Sequence, residues 1–394
     1  MKLAAPQKIL AIFAVYSLLL SAVKVNAQCE TAHTYAVCPE FDTIYVENCI
    51  REPFALAAFQ LSTGSLKWRA PAPGGPGGGT VFGCDLAATA EMVASSAAPL
   101  FVTPDGWKVG DARDDFVEGW DGRTGELNWV IRSGETYGLV SAGPYFFASS
   151  KNPAGMIVID GRTGKTGWEP PSAGRGALGL YDPKDGVLLT SRYAADTYSG
   201  KILKYWPSEW DVSSVTFAGN FVVIGTSSTG SGPTKLVAYS LPSYEIAWIR
   251  EDARKRDFAA LAADADHVVV AIYPHGDFYR LPGNMEVQVL ARSSGRLLWS
   301  KTMNLPFLGE SSPSAVGLAS GLAIVSTLDH GRSSSTSRAF DLATGREKWA
   351  LRLGTVYAGV TCADRYCYLS GVAGKVVQVD VQTVALRWYR IPTQ

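Results

Sequence analysis

The residues best suited to metal chemistry are three aspartates in one short stretch. Asp111, Asp114 and Asp115 offer carboxylate oxygens, which are the ligands that Ca²⁺ prefers in proteins. Their spacing matches no EF-hand loop, however, and the 4 histidines stand apart with no second ligand at a zinc-site spacing. We therefore predict no metal ligand, and a Ca²⁺ site formed by these aspartates with backbone oxygens is the alternative.

A phosphate-binding loop is the second chemical candidate. The segment from Gly161 to Thr166 reads Gly-Arg-Thr-Gly-Lys-Thr and ends like the loop that cradles nucleotide phosphates. The first glycine of such a loop would fall on Ile159, and the same Gly-Arg-Thr-Gly recurs from Gly122 to Gly125 without the lysine. The sequence also contains no Gly-x-Ser-x-Gly motif of serine hydrolases. We predict neither a phosphate site nor a catalytic residue.

The first 27 residues have the layout of a secretory signal peptide. Lys2 and Lys8 precede an apolar run from Ile9 to Val23, and Ala27 offers a cleavage point. The run is short for a membrane span, although an uncleaved signal anchor is the alternative. We predict that residues 1–27 are removed and that residues 28–394 form a secreted protein, extracellular or periplasmic, with no later membrane span.

The 6 cysteines all follow this signal, and oxidising compartments favour disulfides. Cys362 and Cys367 flank a short predicted turn between two strands, so we expect a bridge between them. Two thiols facing opposite sides of the ribbon are the alternative. The connectivity of the other cysteines stays open; they are Cys29, Cys38, Cys49 and Cys84.

Composition excludes several classes of protein. The chain has 394 residues with 36 Lys and Arg against 36 Asp and Glu, whereas nucleic-acid binders usually carry a basic excess. The hydrophobic fraction of 47% is that of a globular protein and argues against disorder. The 40 glycines and 11 tryptophans indicate many turns between aromatic-rich strands.

One phrase ending in tryptophan recurs along almost the whole chain. Clear copies run from Trp120 to Trp129 and from Phe340 to Trp349, and seven copies share Thr or Ser five positions before the tryptophan. Glycine stands four positions before it in five copies: Gly64, Gly125, Gly164, Gly295 and Gly345. The seven tryptophans are Trp68, Trp129, Trp168, Trp248, Trp299, Trp349 and Trp388.

A degenerate eighth copy ends at Trp206, where Gly200 stands six rather than four residues before the tryptophan. With this copy the tryptophans are 38 to 61 residues apart, which is typical of four-stranded propeller blades. Asp and Thr side chains fix turns by bonding the nearby backbone, and glycine supplies a positive φ. We predict an all-β protein with eight four-stranded antiparallel blades, in which each repeat tryptophan packs between blades.

This Asp-x-x-Thr-Gly-x-x-x-Trp phrase resembles the tryptophan-docking motif of the pyrroloquinoline-quinone-like, or quinoprotein-type, β-propeller repeats. The resemblance covers nearly all of the mature chain and implies a single eight-bladed domain. It leaves function open, because the superfamily includes both cofactor-dependent dehydrogenases and scaffolds without catalysis. Unlike many quinoprotein alcohol dehydrogenases, the chain has no adjacent Cys-Cys pair.

Three functions are compatible with these patterns. We favour an exported, non-enzymatic monomer that binds a protein or other macromolecule through its propeller loops and needs no cofactor. The alternative is a quinoprotein oxidoreductase that uses pyrroloquinoline quinone (PQQ) and Ca²⁺. A third function is carbohydrate binding by the tryptophans outside the docking position, for which packing is the competing interpretation: Trp107, Trp120 and Trp210.

Overall fold

The computed structural model describes twenty segments of the chain between residues 30 and 390. These segments are residues 30–32, 35–47, 54–71, 86–89, 91–97, 100–103, 106–109, 116–133, 136–151, 154–168, 180–182, 186–210, 212–226, 233–252, 256–274, 283–305, 315–329, 334–353, 359–370 and 375–390. The predicted signal peptide, residues 1–27, lies outside them and stays a prediction. The acidic stretch from Asp111 to Asp115 also lies outside the described segments.

The strands form eight blades, and every pair of neighbouring strands is antiparallel. Blade 1 holds β1 (Glu30–Ala32), β2 (Tyr35–Cys38), β3 (Thr43–Glu47), β4 (Phe54–Gln60) and β5 (Leu66–Pro71). Blade 2 holds β6 (Leu86–Ala88), β7 (Met92–Ala97), β10 (Phe116–Asp121) and β11 (Leu127–Arg132), with the hairpin β8 (Leu100–Thr103) and β9 (Gly106–Val109) inserted. Blade 3 holds β12 (Thr136–Ala142), β13 (Tyr145–Lys151) and β14 (Ala154–Asp160).

The second half of the chain continues the same order of strands. Blade 4 holds β15 (Leu180–Asp182), β16 (Val187–Leu189), β17 (Tyr193–Asp196) and β18 (Ile202–Tyr205). Blade 5 holds β19 (Val212–Ala218), β20 (Phe221–Thr226), β21 (Thr234–Ser240) and β22 (Glu245–Asp252). Blade 6 holds β23 (Arg256–Ala263), β24 (His267–Pro274), β25 (Gly283–Ala291) and β26 (Leu297–Leu305). Blade 7 holds β27 (Ala315–Ala319), β28 (Leu322–Asp329), β29 (Ser334–Asp341) and β30 (Glu347–Leu353). Blade 8 holds β31 (Val360–Ala363), β32 (Tyr366–Ser370), β33 (Lys375–Asp380) and β34 (Leu386–Arg390).

The innermost strands of successive blades lie side by side and close a ring. They follow the order β1, β6, β12, β15, β19, β23, β27 and β31, and β1 lies beside both β31 and β6. The prediction of an eight-bladed all-β propeller is therefore confirmed. Among the described residues the secondary structure besides strands is one short 3-10 turn, Pro39–Phe41, and no helix is long and apolar enough to cross a membrane.

Two blades depart from the four-stranded plan in the described part of the chain. In blade 1, β1 adds a fifth strand at the inner edge. In blade 3, the outer strand is reduced to a single bridge between Ile159 and Thr166.

The hydrophobic core lies between the blades, because successive side chains of a strand point to opposite faces. In β25, Val289 packs against blade 7 while its neighbour Leu290 packs against blade 5. Each blade therefore contributes apolar side chains to both of its neighbours.

Candidate interaction surface

The recurring phrase forms a tight turn between the third and fourth strands of a blade. In blade 7, Asp341 Oδ1 accepts hydrogen bonds from the Thr344 backbone N–H at 2.9 Å and from its hydroxyl at 2.8 Å. The bonds from Thr344 lower the pKa of the Asp341 carboxyl, which favours its charged form. The segment from Gly161 to Thr166 makes the equivalent turn in blade 3, with Thr163 bonded to Asp160.

Every one of these turns has a residue with positive φ at the glycine position. Gly125 is typical, since a Cβ there would lie 2.6 Å from the Trp68 ring of the preceding blade. Blades 5 and 8 use residues other than glycine, namely Tyr244 at φ 55° and Val384 at φ 59°. At Gly125, glycine therefore suits both the positive φ of the backbone and the close approach of an indole.

Six of the repeat tryptophans pack across a joint and donate the indole N–H to the next blade. In each case the acceptor is the backbone carbonyl of the residue that directly follows the first residue of the turn, such as Gly122 after Asp121. The pairs are Trp68 to Gly122 (3.0 Å), Trp129 to Gly161 (2.8 Å), Trp168 to Thr197 (3.2 Å), Trp248 to Arg292 (2.8 Å), Trp299 to Leu342 (2.7 Å) and Trp349 to Val381 (2.9 Å).

A bulge sets the face on which the tryptophan lies. In blade 7 the register shifts between Ala339 and Phe340, which places Trp349 opposite Ala339 and against blade 8. The same shift occurs in blades 1, 2, 4, 5 and 6. A bulge inserts one residue on one strand, so it decides which of two neighbouring side chains faces the joint.

Blade 8 pairs without this bulge, and Trp388 consequently does not dock. Gln378 lies opposite Arg387, and the Trp388 side chain is 48% exposed. Arg387 takes the docking place and donates from Nη1 to the carbonyl oxygens of Leu61 (2.7 Å) and Ser62 (2.6 Å) in blade 1. The interpretation of Trp388 as an interblade tryptophan therefore needs correction, because a one-residue change of register exchanges the two faces of the strand.

Tyrosines complete the closing joint between blades 8 and 1. Tyr389 donates its hydroxyl to the Leu61 carbonyl at 2.9 Å, and Tyr35 donates to the Tyr368 carbonyl at 2.7 Å. Both hydroxyls belong to buried side chains of one apolar cluster. The ring therefore closes through an arginine and tyrosine hydroxyls rather than through an indole.

Blade 4 departs from the repeat in a different way. Lys204 stands opposite Ala194, where blades 1, 2, 5, 6 and 7 have the tryptophan, and its Nζ lies 5.8 Å from the centroid of the Tyr239 ring. Trp206 is buried two residues further on and donates to the Thr190 carbonyl of its own blade at 2.9 Å. It also packs against the ring of Tyr239, at 5.3 Å between centroids. Trp206 thus fills the joint without the docking hydrogen bond to the next blade.

Large apolar side chains remain exposed along the outer strands. On β34, Trp388 and Leu386 are 48% and 43% exposed and lie on the same face, two residues apart. Arg390 is the next residue of that face and is also exposed. We call Leu386, Trp388 and Arg390 the β34 outer face. Other outer strands expose smaller residues, among them Ile246 and Ile249 on β22.

The tryptophans predicted for ligand stacking have different surroundings. Trp120 is buried between blades 1 and 2. Trp210 packs against the Tyr239 ring at 6.4 Å and lies 6.0 Å from Lys235 Nζ. The side chain of Trp107 lies outside the described part of the structure. Trp120 and Trp210 have packing contacts of their own.

The predicted disulfide between Cys362 and Cys367 is confirmed. The two residues are direct neighbours across β31 and β32, and Cys362 Sγ lies against Gly317 of blade 7. Cys38 is also disulfide-bonded, to a cysteine outside the described residues. Cys29, Cys49 and Cys84 lie outside them, so the remaining connectivity stays open.

The described residues offer no cluster of side chains that could hold Ca²⁺. Among them, no three His, Cys, Asp or Glu side chains converge. The turn aspartates such as Asp121 are held by backbone and hydroxyl bonds of their own turns. We derive no chemistry through a quinone or Ca²⁺.

Comparison with known proteins identifies related families and folds. A family model of the PQQ-type repeat, described as outer membrane protein assembly factor BamB, matches residues 174–390, which is more than half of the chain. A comparison with curated protein sequences finds no match.

Solved structures with a similar fold come from proteins of several kinds. A computationally designed protein, Ika8, aligns with a TM-score of 0.57 and 16% identity over 77% of this chain and 85% of its own. The dihydro-heme d1 dehydrogenase NirN aligns with a TM-score of 0.57 and 13% identity over 88% of this chain and 72% of its own. Sqt1 of Saccharomyces cerevisiae aligns with a TM-score of 0.54 and 12% identity over 78% and 85%. At these identities the likeness shows the fold alone.

Proposed function

Because the chain belongs to the family of PQQ-type repeat propellers, we propose that it is an exported, non-enzymatic scaffold that binds a protein partner through the outer rim of the ring. The observation that carries the proposal is Trp388, which the register of β34 turns outward on a propeller whose other repeat tryptophans pack inside joints. Tryptophan is enriched among residues that dominate protein–protein binding.

The chemistry around Trp388 supports a protein partner. Leu386 extends its apolar surface, and Arg390 adds a cationic group at the edge of the same face. An aromatic anchor with an arginine beside it is the composition found at the centres of protein interfaces. The outer strand also has one free backbone edge in the described part of blade 8, where an extended segment can pair.

Two further observations support export and a scaffold role. The disulfide between Cys362 and Cys367 is of the kind that persists in oxidising compartments. The matching family is described as a factor of outer membrane protein assembly, which is a protein-binding role. Both agree with the secretory layout of residues 1–27.

The experiment compares affinity capture from the exported proteome by three forms of the mature chain. The wild type and Ile246→Ser should capture the same partner, because Ile246 is similarly exposed, at 51%, but lies on blade 5. Trp388→Ser should lose it. Equal capture by all three forms, or by none, contradicts binding through the β34 outer face.

A separate assay addresses the quinoprotein alternative. Purified protein is mixed with PQQ and Ca²⁺, and its absorption spectrum and dye-linked alcohol oxidation are followed. The scaffold proposal predicts no saturable spectral change and no turnover. Stoichiometric quinone binding with turnover would replace the scaffold by an oxidoreductase.

A further inference from the structure

A polar cluster crosses the otherwise apolar joint between blades 1 and 2. Glu118 on β10 lies directly opposite Ser95 on β7, within blade 2. Ser95 Oγ donates a hydrogen bond of 2.6 Å to Glu47 Oε1, on β3 of blade 1. Two carboxyl groups and a hydroxyl therefore lie together at this joint. We call Glu47, Ser95 and Glu118 the joint cluster.

Both carboxyl groups of the joint cluster are almost inaccessible to water. Glu118 is 7% exposed and Glu47 is 5% exposed. Glu118 Oε2 has no hydrogen-bond partner among the described residues, and neither does the indole N–H of Trp120, which lies on the same face of β10. A buried carboxylate without partners is costly when ionised, whereas the neutral carboxylic acid is tolerated.

The charged and titratable groups around Glu118 offer little compensation. From blade 1, Glu47 and Tyr45 of β3 lie on the face that packs against blade 2, and burial raises the pKa of Tyr45 so that this phenol stays neutral. On β11, Val130 lies opposite Glu118, and Arg132 at the next position of that face is exposed to solvent. The described apolar side chains of this joint include Ala36, Cys38, Trp68, Leu86, Ala88 and Val93. Asp121 and Arg123, whose charges act on the Tyr45 hydroxyl, lie at the end of β10 and in the turn that follows.

We propose that the joint cluster makes the contact between blades 1 and 2 proton-controlled: neutral Glu118 lets the blades pack closed, and ionised Glu118 draws water into the joint. The burial of Glu118 raises its pKa to about 7, which places the change in the neutral range. Opening is confined to this joint, because the other seven joints have no comparable buried carboxyl pair in the described part of the chain.

Fluorine NMR of protein labelled with 5-fluorotryptophan tests the proposal. The signal of Trp120 is identified as the one lost in Trp120→Phe, and it is followed from pH 5 to pH 9. We expect it to titrate with a midpoint near 7 and to become more accessible to a soluble paramagnetic quencher at the alkaline end. The signal of Trp299, at the joint of blades 6 and 7, should not titrate.

The controls separate Glu118 from a general effect of pH. Glu118→Gln mimics the neutral acid, so the Trp120 signal should stay at its acidic position throughout. Glu126→Gln, in the exposed turn after β10, should titrate like the wild type. Absence of titration in the wild type, or the same titration in Glu118→Gln, overturns the proposal.

Amide exchange of the unaltered chain provides a second measurement if Glu118→Gln does not fold. After correction for intrinsic rates, exchange in β7 and β10 should increase above pH 7 while exchange in β24 and β25 of blade 6 does not. A uniform response of the two blades overturns the proposal as well.

Discussion

Arg387 donates a hydrogen bond of 2.7 Å from Nη1 to the main-chain oxygen of Leu61, and this contact joins the last blade to the first. At the equivalent place in blade 7, Trp349 donates its indole N–H to Val381 at 2.9 Å. The same acceptor position is thus served by a guanidinium at one joint and by an indole at another. Because Arg387 occupies the docking place, the neighbouring Trp388 lies on the outer surface. The contact that closes the ring is thus linked to the surface of the proposed function.

Trp129 and Trp388 stand at equivalent places in the sequence but should differ in their contribution to stability. Trp129→Ala should lower the free energy of unfolding by about 3–5 kcal/mol, because its ring is buried against Gly164 and Phe146. Trp388→Ala should cost less than about 1 kcal/mol, since its side chain is exposed. Urea unfolding measures both values, and a similar loss in the two variants would contradict the register of β34.

Arg387→Ala should lower the free energy of unfolding by about 1–2 kcal/mol, because it removes two hydrogen bonds from a charged donor to the Leu61 and Ser62 carbonyls. Arg346→Ala is the matched control, since Arg346 is an exposed arginine in the turn of blade 7. The control should change stability by less than about 0.5 kcal/mol. Equal values for the two arginines in denaturant titrations would show that Arg387 has no closing role.

Val384→Gly should stabilise the protein by about 1 kcal/mol. Val384 has φ 59°, and this left-handed conformation is unfavourable for a β-branched side chain. The reverse change in the neighbouring blade, Gly345→Val, should destabilise by more than about 2 kcal/mol, because a Cβ there would lie 2.9 Å from the Trp299 ring. Thermal and chemical unfolding would falsify the argument if Val384→Gly were the more destabilising change.

The stability of the protein should depend on pH through Glu118. Burial raises the pKa of Glu118 from 4.5 to about 7, so the folded state binds this proton more tightly than the unfolded state. Its contribution to stability is therefore full below pH 4.5 and is lost as the pH rises to about 7. The loss amounts to about 3 kcal/mol, because one pKa unit corresponds to about 1.4 kcal/mol.

Glu118→Gln isolates this contribution from the other titrating groups. The free energy of unfolding of the wild type, relative to that of the variant, should fall by about 3 kcal/mol as the pH rises from 4.5 to about 7. The reason is that only the wild type loses the contribution of Glu118. Urea unfolding at pH 4.5, 6 and 8 measures it. A difference that stays constant with pH would mean that Glu118 is not buried in the folded state.

The fold was predictable because the residues of the repeated phrase form the same turn and the same contact between blades in most copies. Gly125 has a positive φ and leaves room for the Trp68 ring of the preceding blade. Glycine and tryptophan therefore recur together, at a fixed spacing, in most copies of the phrase. The family match confirms the resemblance drawn from this phrase. In blade 3, the Gly161–Thr166 segment forms the turn expected from its likeness to Gly122–Gly125.

The closing joint was not predictable from spacing alone. Trp388 stands at the expected distance from Asp380, and only the missing bulge turns it outward. A bulge depends on how two strands pair, which a count of residues does not record. The sequence offered one hint, since Val384 replaces the glycine that most other copies have.

The burial of Glu118 was also not predicted, although one feature of the sequence points to it. It stands between Val117 and Gly119 in a strand that ends in Trp120, where a charged residue interrupts an otherwise apolar segment. Alternation places Glu118 on the same face as Phe116 and Trp120, but a charged side chain is not expected at a buried position. Its burial follows from the packing of blade 1 over blade 2, which involves residues far away in the sequence such as Glu47.

Photo-cross-linking in the native host tests the central claim, a protein partner on the β34 outer face, most directly. A benzophenone amino acid replaces Trp388 in one exported variant and Ile246 in another, and adducts are detected after irradiation. The account predicts a discrete adduct with a protein from position 388 and none from position 246. Absence of an adduct at 388, or the same adducts at both positions, would contradict it.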